Sequence, residues 1–92
     1  MLVSSENRVE GVRVVKEIGR ISAASSWAGN ADLPNYRNSA LERLIAAARD
    51  MEADAIIGVN YELDGVVTND LAALPLERVQ VSGIAVKLAR AA

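Results

Sequence analysis

The stretch Met51-Glu52-Ala53-Asp54-Ala55-Ile56-Ile57-Gly58-Val59-Asn60-Tyr61-Glu62-Leu63 decides the fold class. Ahead of it, Leu41, Leu44, Ile45, Ala48 and Met51 recur at helical spacing on one face, while Glu42, Arg43, Arg49, Asp50 and Glu52 fill the rest. Beyond it the period drops to two. Ile57, Val59, Tyr61 and Leu63 share one side, and Gly58, Asn60, Glu62 and Asp64 mostly share the other. An Ala-rich amphipathic helix therefore feeds an apolar strand almost without a linker. The fold class is α+β.

Working towards the N-terminus, Ser39-Ala40-Leu41-Glu42 has the pattern of a capping box and places the helix start there, for about 14 residues. Residues 12–24 read as a long β-branched strand, and residues 78–88 as another. Each changes apolar parity at a glycine. Val12, Val14 and Ile18 give way to Ile21 and Ala23 around Gly19; Val79 and Val81 give way to Ile84, Val86 and Leu88 around Gly83. One extra residue at each glycine, a β-bulge, would restore a single apolar face; burial of both faces, as at a subunit interface, is the competing explanation, and the two are compatible.

The middle strand is expected over residues 55–63, with a turn at Asp64-Gly65. Pro75 lacks a ladder donor, so the last strand should begin after it. Between them, residues 65–75 form a connection with apolar content of its own, of unassigned role. A short extra strand is expected at residues 2–4. The whole chain, 1–92, is one small β-α-β-β domain, with one helix packed on an antiparallel or mixed sheet of long bulged strands.

At 92 residues only about 60–65% of the unfolded surface can be buried, so a lone subunit would be marginal. Apolar residues make up 51% of the chain but aromatic ones only 3%, so the core must be aliphatic and brings less area per side chain. Small aliphatic domains commonly complete their cores by self-association, and a homo-oligomer is expected here. Cysteine and histidine are both absent, which removes disulfides, thiol nucleophiles, the usual neutral-pH base and the usual soft-metal ligands. Ten basic residues against twelve acidic ones, with no basic stripe, disfavour nucleic acid as a partner. No signal-like or membrane-length apolar run is present, so a cytoplasmic protein without a membrane partner is expected.

Three segments together resemble a known family. Residues 3–11, Val-Ser-Ser-Glu-Asn-Arg-Val-Glu-Gly, are similar to the opening of the YbjQ-like proteins, whose family name includes heavy-metal binding. Ala53-Asp54-Ala55-Ile56-Ile57-Gly58-Val59 resembles their Gly-Ala-Asp-Ala-Val-Val-Gly signature, and Ser82-Gly83-Ile84-Ala85-Val86-Lys87 their closing strand. The resemblance implies a dodecin-like α+β fold and a ring-shaped homopentamer. Two departures stand out: residues 25–38 are shorter than the corresponding family segment and lack its Gly-Gly-Arg-Ser, and Glu52 replaces the glycine that would suit a left-handed helix cap.

The family name implies soft-metal binding, for which this chain offers only Met1 and Met51, and Met51 lies on the helix's apolar stripe. Carboxylates remain as candidate hard-cation ligands: Asp50 with Asp54, or Glu62 with Asp64, converging across subunits; the alternative is solvated charge at element ends. Asp54 reads either as a ligand or as an acceptor for exposed amides at the helix-to-strand turn. Trp27 and Tyr36 bracket a short loop and are candidates for stacking on a planar small molecule, as dodecins stack flavin; sealing that loop is the other reading. Ser25, Ser26 and Ser82 have only Lys16 and Lys87 as conceivable activators, at no telling spacing. The reading is a non-enzymatic, ring-forming protein without a cofactor. Small-molecule or divalent-metal binding at inter-subunit sites is the alternative.

Overall fold

In the computed structural model, residues 1–27, 33–67 and 75–89 are described. The elements in order are β1 (Leu2–Val3), β2 (Val14–Ala24), α1 (Leu33–Asp50), β3 (Ala55–Val67) and β4 (Pro75–Leu88). They build one four-stranded sheet in the order β1-β3-β4-β2. β4 runs antiparallel to both neighbours, and β1 lies parallel to β3. The helix connects β2 to β3 while β4 slots between them, a split β-α-β arrangement. The α+β class, the single helix and the mixed sheet are as expected.

The helix is longer than the capping pattern indicated. It begins at Leu33, with Pro34 in its first turn, where a missing N–H and a fixed φ are tolerated. Ser39 thus sits inside the helix and caps nothing. Ala40, Leu44 and Ala48, one turn apart, are completely buried, and Tyr36, Leu41 and Ile45 pack beside them. Their partners on the sheet are Ile56, Val59, Val79 and Val81, flanked by Ile21 and Ala23.

At the helix end the chain turns in a Schellman motif. Ala53 N–H bonds the Ala48 carbonyl at 3.0 Å and Glu52 N–H bonds that of Arg49 at 2.9 Å. The motif needs a left-handed residue, and Glu52 supplies it with φ 59°. A β-carbon in that region costs about 1–2 kcal/mol, so Glu52 carries strain at the position where the resembling proteins have glycine.

Both central strands run further than their turn signals indicated. β3 continues straight through Asp64-Gly65, which pair with Arg78 and Glu77, so no turn forms there. Pro75 pairs with Val67 as the first residue of β4, a position where the lost donor matters little. Of the proposed 65–75 connection, residues 68–74 lie outside the described residues.

The two parity changes have different causes. In β2 the ladder slips between Glu17 and Gly19, and again between Val14 and Lys16, so the expected bulge at Gly19 is present. β4 passes Gly83 without a slip; the third bulge lies on β3, between Ile57 and Asn60, where Gly58 takes φ 61°. Gly83 is required for space instead. A Cβ there would lie 2.6 Å from Ile56 Cγ2 and 3.1 Å from the Ile57 carbonyl oxygen. Val81 and Ala85 face the helix side, whereas Ala55, Ile57, Val86, Ile84, Leu88 and Val14 form a second apolar cluster, covered by Val9.

Val9 belongs to an N-terminal strap held along the edge of β3. Ser4 N–H donates to the Ile56 carbonyl, Val59 N–H to that of Ser4, and Gly58 N–H to that of Glu6. The molecule is elongated, 62 × 21 × 16 Å, with a radius of gyration of 15.9 Å. A compact chain of this length would have about 12 Å.

Candidate functional site

Beyond the strap, the face of the sheet opposite the helix turns polar. On β3 the side chains of Asn60, Glu62 and Asp64 alternate onto this face, opposite Ser82, Gln80 and Arg78 of β4. Asp64 is the hub of one cluster. Its Oδ2 accepts from Arg78 Nε at 3.3 Å and from the Gln80 side-chain amide. Arg78 and Asp64 are both about one-third exposed, so their attraction is screened and contributes about 0–1 kcal/mol. The Arg78 guanidinium also lies over the Trp27 ring, 4.5 Å from its centroid. Next to this cluster, Asn60, Glu62, Gln80, Val81 and Ser82 line a small cavity of about 60 Å³.

The candidate residues from the sequence are distributed as follows. Glu62 and Asp64 share the polar face, but Asp64 is already engaged by Arg78 and Gln80. Asp54 accepts the Leu88 N–H at 2.9 Å while its own N–H donates to the Val86 carbonyl at 2.9 Å. It therefore ties the helix-to-strand turn to β4, which is the structural reading with a different amide from the one expected. Asp50 is exposed in the last residue of the helix, on the other side of the Schellman turn. Trp27 is under Arg78, whereas Tyr36 packs into the helix-side core. Among the described residues, no three carboxylates gather at one point.

Several residues at this end of the molecule escaped the sequence reading. Arg43 reaches from the helix to the Ala24 carbonyl at 2.7 Å and clamps the end of β2. Arg37 lies 4.4 Å from the Tyr61 ring centroid. Ser25 is buried; its Oγ accepts from Val79 N–H at 2.9 Å and donates to the Ser26 carbonyl. That hydroxyl continues the β2–β4 ladder beyond the strand's end. Ser82 and Lys87 lie on opposite faces of β4, and Lys16 sits across from Lys87, so neither lysine shares the face of Ser82.

A family model described as "Putative heavy-metal-binding" (YbjQ) matches residues 26–89. The chain belongs to the YbjQ family. Among solved structures it is similar to a protein of unknown function of the DUF74 family from Pediococcus pentosaceus ATCC 25745. The two share 21% identity with a TM-score of 0.65, over 97% of this chain and 98% of that one. At that identity the likeness carries the fold. No curated protein matches the chain.

The side chains present do not fit a soft heavy metal. The chain has neither thiol nor imidazole. Of the two thioethers, Met1 is exposed, and Met51 is half-buried, its Cε 3.6 Å from where a Cβ on Gly19 would lie. Oxygen atoms are what the polar face offers. No helix among the described residues is long and apolar enough to cross a membrane.

Proposed function

We propose that this protein is a non-catalytic subunit that associates head to tail with copies of itself into a closed ring, of five in the form the family resemblance implies. The observation that carries this reading is a pair of unlike open edges. Among the described residues, β2 has no strand on its outer side. Among the same residues β3 has its outer side covered by β1 and the strap only as far as Val59, which leaves Asn60–Val67 open. Rows of unpaired N–H and C=O groups at a sheet edge are templates for another strand. Because the two edges are different surfaces on opposite sides of the sheet, their pairing is heterologous, and a heterologous contact closes into a ring when the rotation permits. The elongated subunit and the exposed Val15 on β2 and Leu63 on β3, 53% and 55% accessible, support the same reading.

The non-catalytic part of the proposal rests on chemistry. Without histidine or cysteine, activation of a hydroxyl falls to lysine, and the Ser25 hydroxyl is already used in two backbone bonds.

Two single variants test the assembly. Val15→Lys blocks one edge and Leu63→Lys the other. Each alone is expected to sediment as a monomer, and an equimolar mixture as a dimer and nothing larger, because one good edge survives on each. A ring that persists in either single variant, or a mixture that stays monomeric, would overturn the head-to-tail assignment.

A further inference from the structure

The polar face holds three side chains that the fold does not use. Asn60 opposes Ser82, and Glu62 opposes Gln80, across the β3–β4 ladder, so the four project together as a two-by-two block. Directly opposed positions stand about 5 Å apart and diagonal ones about 7–8 Å. Their shared cavity of about 60 Å³ has the volume for an ion and one water, given roughly 30 Å³ per liquid water. Among the described residues the side chains of Asn60, Glu62 and Ser82 have no hydrogen-bond or ion-pair partner. Gln80 commits its Nε2 to Asp64, which leaves its Oε1 uncommitted. The β3 slip between Ile57 and Asn60 lies immediately before the block, and bulges commonly re-aim the side chains beside them.

The available donors are two carboxylate oxygens, two amide oxygens and a hydroxyl, with no nitrogen or sulfur ligand. We propose that Asn60, Glu62, Gln80 and Ser82 form a binding site for a hard divalent cation of the calcium and manganese type. Glu62 supplies the charge, and Asn60, Gln80 and Ser82 supply neutral oxygens. Water completes the coordination shell, since calcium takes 6–8 oxygens in flexible geometry. Asp64 is a positioning residue: Arg78 and Gln80 occupy its Oδ2, and it holds the Gln80 amide. With one carboxylate the affinity belongs at the weak end, about 10⁻⁴–10⁻³ M. The site lies within one subunit, so it stands or falls separately from the ring.

Paramagnetic broadening of amide NMR signals by manganese locates such a site directly, in the native assembly of the full chain. Substoichiometric Mn²⁺ is expected to broaden Asn60, Glu62, Gln80 and Ser82 first, and excess Ca²⁺ to restore them, while K⁺ at equal ionic strength does not. Glu62→Gln should abolish the effect. Asn60→Asp, which adds a second carboxylate, should tighten binding about tenfold or more and keeps the test informative if the first variant folds poorly. Broadening centred on Asp50, Asp54 or another residue, or an Asn60→Asp variant of unchanged affinity, would overturn the proposal.

Discussion

The two faces of the sheet are covered by very different means. On one side an 18-residue helix lays a stripe of Ala40, Leu44 and Ala48 across three strands, and every member is completely buried. On the other, Val9 from a mostly exposed N-terminal strap closes a smaller cluster around Ala55, Ile57 and Val86, and the remaining half of that face is polar. Both clusters bury aliphatic side chains nearly completely. They differ in what holds the cover: the helix carries its own hydrogen bonds, whereas the strap depends on a few bonds along the β3 edge. Segments with few buried contacts open at low free energy. The helix side is thus the stable foundation, and the strap side is the part that can yield.

Mutations at matched depth put that contrast at risk. Leu44→Ala on the helix side should cost about 3–4 kcal/mol, because a fully enclosed site collapses little around the cavity. Gly83→Ala tests the seam where β4 passes between the two clusters. The new methyl would overlap Ile56, at an expected cost of about 2–3 kcal/mol in denaturant unfolding. Ile57→Ala, under the strap, should cost only about 2 kcal/mol, since a loosely held cover can settle into the space. If Ile57→Ala matches or exceeds Leu44→Ala in the same titration, the strap is as rigid as the helix and the contrast fails.

Smaller effects sharpen the join between the faces. Asp54→Ala removes the acceptor for Leu88 N–H and should cost about 1 kcal/mol. Glu52→Gly relieves the left-handed strain and should raise stability by about 0.5–1 kcal/mol, a gain of a few degrees in melting temperature. A loss of stability there would mean that the Glu52 side chain makes a compensating contact.

How much of this was legible beforehand varies by residue. The switch from period 3.6 to period 2 across Glu52-Ala53-Asp54 places the helix end and the start of β3 correctly, and it marks Glu52 as the strained cap. The helix start was missed because Ser39-Ala40-Leu41-Glu42 imitates a cap. The opposing signal was the continuation of the buried face back through Ala40 to Tyr36, masked by Asn35 and Asn38, which are poor helix formers. Asp64-Gly65 carries a turn's composition, yet long-range pairing with Arg78 and Glu77 overrides it. Local turn preference cannot register a partner fourteen residues away.

The polar face was only half legible. Glu62 and Asp64 stood out as carboxylates two residues apart on a strand. Their real neighbours, Gln80, Ser82 and Arg78, depend on the β3–β4 register, which the β3 bulge shifts by one residue. At Gly83 the bulge explanation fails and the burial of both faces holds, with Val79 and Val81 in one cluster and Ile84, Val86 and Leu88 in the other. The steric need for glycine there depends on Ile56 and Ile57 of the neighbouring strand, which no pattern within β4 registers.

The central claim is that the two unlike sheet edges pair between copies and close. Native mass spectrometry of the untagged protein tests it most directly. The account predicts one dominant closed species at ~49 kDa, about five times the 9.8 kDa subunit. A spectrum dominated by the 9.8 kDa monomer at micromolar concentration, or an open ladder of oligomers without a preferred size, would contradict it.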